Sequence, residues 1–275
     1  MPALLALLSS VMWGSADYLA GRLSRRRHVL VVLGGTQVVG LIAMLLIATL
    51  SGSWGAPAEY AGWAILASLS GAMGLALYYR ALAIGTMGVV SPIAALGVVV
   101  PLVVGLLSGE QPSTVQLLGI GLALAGVVAA SGPEVRGEAG WRPVLLASGS
   151  AVLLGTALVA IAEGSQTSVV MTMTMMRMTT VTLMAIAVVA MRRTVSVSRS
   201  EIPSFAAVGL MDVAANLAFG LASTLGMLSI VSVFGSLYPV ATILLARFID
   251  HERLRRIQQV GVALALAGVV VITAG

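Results

Sequence analysis

The sequence predicts an all-α integral membrane protein of about ten transmembrane helices, arranged as two inverted five-helix repeats. Three observations predict it: a composition too apolar for water, apolar runs of spanning length along the whole chain, and an internal likeness at a spacing of about 142 residues. Hydrophobic residues make up 59% of the 275 and charged residues 9%, against roughly 25% charged in a soluble domain. That is too little charge to give every outer helix a polar face. Lipid is the solvent that such a chain fits, and a helix crosses it with about 20 apolar residues.

Apolar runs separated by charge, Gly or Pro predict helices over 2–21, 29–50, 61–84, 87–107, 113–131, 143–163, 168–191, 204–224, 228–248 and 256–274. The connections are short. The longest, 132–142, holds Pro133, Gly137 and Gly140, so the chain divides into 1–132, a connecting loop over 133–142, and 143–275. The net charge of +5 comes from Arg alone, without Lys, and its placement is one-sided. Thirteen Arg residues fall in or beside the first, fifth, seventh and ninth connections, and the even-numbered connections and both tails have none. Short Arg-rich loops stay cytoplasmic, which predicts both termini on the non-cytoplasmic side. Trp54 and Trp63 then mark the outer interface and Trp141 the inner one, as interfacial aromatics prefer. Basic residues parcelled out at helix ends are a topology signal and give no footprint for nucleic acid.

The chain also resembles itself. Leu122-Ala-Leu-Ala-Gly-Val-Val128 recurs as Leu264-Ala-Leu-Ala-Gly-Val-Val270, and Glu110, Gln116 and Gly119 match Glu252, Gln258 and Gly261 at the same interval. Ala81, Gly85, Val90 and Ser91 match Ala222, Gly226, Val231 and Ser232 at 141. The shared order of polar positions argues against chance in a small apolar alphabet. Five helices per half is an odd number, so the halves insert upside down relative to each other. Repeats of this kind place a site between the halves near the midplane.

Several local motifs add a resemblance: Trp13-Gly14, Leu77-Tyr-Tyr-Arg-Ala-Leu82, Ser91-Pro-Ile-Ala-Ala-Leu96, and Ser236-Leu-Tyr-Pro239 followed by Glu252, Gly261 and Gly268. With these the chain resembles the drug/metabolite transporter superfamily, in its ten-helix EamA-like branch, over nearly its whole length. The resemblance implies a secondary active transporter working by alternating access, an exporter of small metabolites, amino acids or toxic compounds. It implies the cytoplasmic membrane of a bacterium as the location. Two departures stand out. Gly97 or Val98 replaces the proline equivalent to Pro239, with Pro101 a turn later, and the Arg count places the termini opposite to many members of the family.

Four ionisable residues fall well inside the predicted spans: Asp17, Arg80, Arg177 and Asp212. A charge at the bilayer centre costs roughly 2.5–3.5 kcal/mol even on insertion scales, so each needs a partner or a wet cavity. Asp17 and Arg80 lie at similar depth, where they either pair or reach back toward the interface. Arg177 and Asp212 lie near mid-depth: Asp212 is expected to take part in the transport cycle by binding a proton or a cationic group of the solute, with an ion pair that only joins two helices as the alternative. Asn216, Phe219, Gly220 and Ser223 share the face of Asp212. Met171, Met173, Met175, Met176 and Met178 flank Arg177 as an adaptable binding surface or as ordinary core. Trp13, Tyr79 and Tyr238 are candidates for a cavity wall, and Pro92, Pro101 and Pro239 for kinks in cavity-lining helices. Gly119, Gly126, Gly261 and Gly268 read as packing positions of the fifth and tenth helices.

Other classes fit less well. No Cys is present, His28 and His251 lie in loops, and no metal-ligand or nucleophile motif appears. Without Lys there is no phosphate-binding P-loop. No catalytic residue, cofactor or metal is therefore expected. A channel or lipid scramblase, and less readily a polytopic membrane enzyme, are the alternatives to a carrier. The expected partners are the bilayer, a small solute and protons.

Overall fold

A computed structural model describes residues 1–24, 29–85, 87–132, 141–190, 201–251 and 254–275. Arg25, Arg26, Arg27, Arg136, Arg192, Arg193, Arg199, Glu252 and Arg253 lie outside the described residues, as does most of the central connecting loop. The described residues are mostly helical, with no strand among them. Its helices are α1 (Pro2–Ser24), α2 (Val29–Leu50), α3 (Tyr60–Ile84), α4 (Met87–Ala95), α5 (Val99–Leu107), α6 (Thr114–Ala130), α7 (Trp141–Ala190), α8 (Ile202–Leu225), α9 (Leu228–Gly235), α10 (Tyr238–Ile249) and α11 (Arg256–Ala274).

These helices account for ten crossings. Eight are long and apolar enough to span a membrane, and α6 is a shorter apolar helix of 17 residues. The tenth is contained in α7, whose 50 residues would extend about 75 Å at 1.5 Å each, more than twice a bilayer core. Ser168 divides it: its φ of −162° and ψ of 112° are extended, and the helix resumes beyond it. The four-residue gap expected at 164–167 is thus helical, and the chain reverses at one residue. Ser168 suits the task because its Oγ accepts the Met171 N–H at 3.3 Å, as an N-cap does for a new helix.

Two predicted spans are broken. The run 87–107 divides into α4 and α5 around a 3₁₀ turn at Leu96–Val98, and 228–248 divides into α9 and α10 at Ser236 and Leu237. Pro239 sits in the first turn of α10, where a missing N–H costs nothing. Pro101 lies in the first turn of α5, and Pro92 is inside α4. The breaks therefore precede Pro101 and Pro239, and Pro92 marks no break.

Inverted symmetry is visible in the packing. Pro2 at the start of α1 rests on Gly226, and Pro143 at the start of α7 rests on Gly85. Gly14 of α1 lets that helix approach the α9–α10 break at Tyr238, and Gly155 of α7 does the same at the α4–α5 break at Gly97. Each repeat thus lays its first helix against the broken helix of the other. The α6–α11 pair is reciprocal too: Gly126 meets the backbone of Ala265, and Gly268 that of Ala123. Close backbone approach at small residues is how membrane helices gain packing without a hydrophobic drive. Both termini lie at one end, Pro2 beside Gly226 and Gly275 beside Ser113, while Arg22 meets Asp250 at the other.

Candidate functional site

The two helix breaks face each other across the middle of the bundle, and a cavity of about 330 Å³ lies between them. Its walls come from both repeats: Trp13 and Asp17 of α1 and the turn at Gly97 and Val98 from the first, Gly155 and Leu158 of α7, Asp212 of α8, and Ser236 and Tyr238 from the second. The inverted repeat makes this inevitable. Where each half presents a first helix to the other's broken helix, the space at the crossing is shared. A cavity of this size lies at the small end of ligand sites, which run about 300–1,000 Å³.

Asp212 is held from behind. Ten residues into α8, or about 15 Å from its start, its Oδ2 accepts a hydrogen bond from an Arg177 Nη. Its Oδ1 accepts from Asn216 Nδ2 at 3.2 Å, and the same amide donates to the Asp212 carbonyl at 2.7 Å. The other Arg177 Nη donates to Gln37 Oε1 of α2. Arg177 is buried, with its Nε unpartnered, whereas the Asp212 side chain keeps about a quarter of its surface open. A buried guanidinium braced by two helices thus points one carboxylate at the cavity. Phe219, a turn beyond Asn216, is fully buried and meets the Trp13 ring at 5.6 Å between centroids, tilted by 42°.

The remaining candidates divide. Trp13, Asp17 and Tyr238 line the cavity, and Asn216 stands just behind it. Tyr79 and Arg80 are exposed and outside the lining; the Tyr79 ring lies beside that of Tyr78, 5.8 Å between centroids and tilted by 50°, and no ion pair joins Asp17 to Arg80 among the described residues. Met171, Met173 and Met176 are core, Met178 is exposed, and none lines the cavity. The matched glutamines are helix caps: Gln116 Oε1 accepts the Ser113 N–H at 2.9 Å and Gln258 Oε1 the Arg255 N–H at 3.0 Å.

Two polar residues escaped the sequence reading. Gln37 is uncharged, so a search for ionisable residues within spans passes over it, although it is a long polar side chain in the middle of an apolar helix. Glu163 falls at the expected end of a helix that in fact continues. With Glu110 and Gln166 it lines a smaller cavity of about 280 Å³ near the termini. A third cavity, of about 500 Å³, opens at the Arg-rich end around Leu19, Arg22, Pro203 and Asp250, with Arg22 Nη1 and Asp250 Oδ1 3.0 Å apart. It is larger than the central one, yet one repeat supplies only α1 to it and it holds no mid-depth polar group. Among the described residues no cluster of His, Asp and Glu is placed to hold a metal.

Comparison with known proteins supplies a second line. The profile of the EamA-like transporter family matches twice, over residues 1–132 and 141–274. A solved structure described only as a crystal structure of a protein superposes with a TM-score of 0.81 at 18% identity, covering 99% of this chain and 96% of the other. At that identity the likeness is one of fold. No curated protein matches the chain.

Proposed function

Because this chain belongs to the EamA-like transporter family and is therefore a membrane transporter of the drug/metabolite type, we propose that it exports small solutes by alternating access, coupled to protons. The single observation that carries this reading is the cavity at mid-depth, built from both repeats at their two helix breaks. Units 1–132 and 143–275 rock about it. Breaks in α4–α5 and α9–α10 put tightened turns of backbone, rather than regular α-helix, beside the solute. The Asp212–Arg177–Gln37 network links α8, α7 and α2, so a change at the cavity carboxylate is felt by helices from both halves. Metabolites, amino acids and toxic compounds are the cargo classes, and the cytoplasmic membrane of a bacterium is the location.

Purified protein in proteoliposomes, screened with a radiolabelled metabolite panel, tests the reading. A carrier shows saturable uptake and counterflow, accelerated by solute on the far side. Flux that rises without limit and shows no counterflow would make the protein a channel or scramblase.

A further inference from the structure

The cavity of about 500 Å³ at the Arg-bearing end is a groove between α1 and α8, bounded by the end of α10 at Asp250. It belongs to the outer surface of the bundle. A helix turns about 100° per residue. On α1 that puts the lining residues Leu19, Arg22 and Leu23 on the side of the exposed Leu4, Leu8 and Val11, roughly opposite Trp13 and Asp17 of the central cavity. On α8 Pro203, Ser204 and Ala207 share the side of the exposed Leu210 and Leu221 and turn away from Asp212. The groove therefore opens to the bilayer and not to the central cavity.

Its polarity changes with depth. Leu19 and Ala207 each lie five residues from the ends of their helices, about 7.5 Å inside, and with Leu23 they form apolar walls. Arg22 lies two residues from the end of α1, about 3 Å inside, and its side chain is 49% exposed. Nη1 makes both contacts of this guanidinium found among the described residues, to Tyr18 Oη at 2.9 Å and to Asp250 Oδ1 at 3.0 Å. Nη2 and Nε keep the other N–H donors of the fork for a further acceptor. In the sequence, the connections 25–28 after α1 and 191–200 before α8 add six Arg and no acidic residue. A groove with an apolar floor and a cationic rim fits an amphiphile with an anionic head.

The geometry points to a binding site for one anionic phospholipid of the surrounding leaflet. Its phosphate accepts from Nη2 and Nε of Arg22, and the first methylenes of an acyl chain lie on Leu19, Leu23 and Ala207. A guanidinium takes a phosphate through two parallel N–H bonds, and basic pockets between membrane helices hold anionic headgroups. Ser204 lines the same groove and brings a hydroxyl. A zwitterionic headgroup carries an ammonium into the Arg-rich surroundings and is disfavoured there. Asp250 keeps Nη1, so the lipid adds to the contact between α1 of one repeat and α10 of the other without displacing it. Occupancy of this groove is independent of which solute, if any, the central cavity carries.

The test is native mass spectrometry of the full chain in detergent, with phosphatidylglycerol and phosphatidylcholine of identical acyl chains in competition. One phosphatidylglycerol per chain is expected to be retained about fivefold more tightly than phosphatidylcholine, the effect of one Arg at an anionic headgroup. Arg22→Gln should abolish that preference. Arg142→Gln, exposed at the same end but outside the groove, should keep it. Ala207→Trp, which fills the groove and leaves every charge in place, should weaken retention of phosphatidylglycerol. Equal retention of the two lipids by the parent protein overturns the proposal. So does a loss in Arg142→Gln as large as in Arg22→Gln, which would assign binding to the basic surface as a whole. Displacement of the lipid by inorganic phosphate as readily as by phosphatidylglycerol would give the site to the free anion and overturn the lipid assignment. Should Arg22→Gln fail to fold, undiminished retention by Ala207→Trp overturns it instead.

Discussion

Ser229, at the start of α9, donates its main-chain N–H to the Glu110 carboxylate at 2.9 Å, and the preceding Leu228 N–H reaches the same group. Glu110 stands in the α5–α6 connection of the first repeat and α9 opens the broken helix of the second, so this contact joins the halves at the end where the termini lie. The first N–H groups of a helix have no partner of their own and carry partial positive charge. A carboxylate satisfies both needs. Glu110→Gln keeps the shape and removes the charge. Hydrogen bonds to charged groups contribute about 1.5–3 kcal/mol against about 1 for neutral ones, so the first turn of α9 should open more readily by about 1 kcal/mol or more. Hydrogen exchange at Leu228 and Ser229 is expected to quicken several-fold, and unchanged exchange would mean that the cap does not hold this end shut.

The α6–α11 crossing gives a second prediction. A Cβ added at Gly126 would run into the backbone of Ala265, whereas one at Gly121 on the same helix meets nothing within 4 Å. Overpacking costs about 1–3 kcal/mol where side chains can give way, and main chain gives way less. Gly126→Leu should therefore lower the melting temperature and monodisperse yield sharply, and Gly121→Leu should leave both nearly unchanged. Equal behaviour of the two variants would refute the close crossing.

These two examples show what the sequence could and could not convey. The glycines on α6 and α11 were legible as packing positions because they recur at a fixed interval within apolar runs, and ten crossings followed from run length alone. The match of Glu110 with Glu252 was visible, but its meaning was not. A capping contact depends on which loop reaches which helix start, and that is fixed only when the halves interdigitate. The same limit applies at the site. The expected helix bounds put Asp17 and Arg80 at similar depth, and depth says nothing about azimuth: Arg80 lies outside the cavity lining. The pairing of Arg177 with Asp212 was legible because few other partners exist at mid-depth.

Arg177 carries a third prediction. Its side chain is 5% exposed and is shared between Asp212 and Gln37. Removing one member of a buried pair strands the other and costs about 3–5 kcal/mol, while replacing both is far milder. The partly open Asp212 should place the loss toward the lower figure. Asp212→Asn, which strands the buried guanidinium, is expected to be the least stable single variant of the network, Arg177→Gln, which leaves a partly open carboxylate, the milder one, and the double variant to recover most of the stability of the parent. Additive losses measured by thermal unfolding in detergent would show that the two side chains do not depend on each other.

The last prediction concerns orientation. Arg22, Arg142, Arg247, Arg255 and Arg256 belong to one end of the helix bundle, and Pro2 and Gly275 to the other. Translocating a short Arg-rich loop against the membrane potential is costly, so such loops remain in the cytoplasm. Both termini should accordingly face the outside, together with the segment at Ser51–Gly55 where Trp54 is half exposed. Because the chain has no Cys, single replacements report on sidedness without background. A Cys at Ser51 should react with a membrane-impermeant maleimide in intact cells. A Cys at Ser198, in the Arg-bearing seventh connection, should react only after the membrane is breached. The reverse pattern would put the termini inside and would show that thirteen Arg residues had been carried across the bilayer, against the charge rule that orients most membrane proteins.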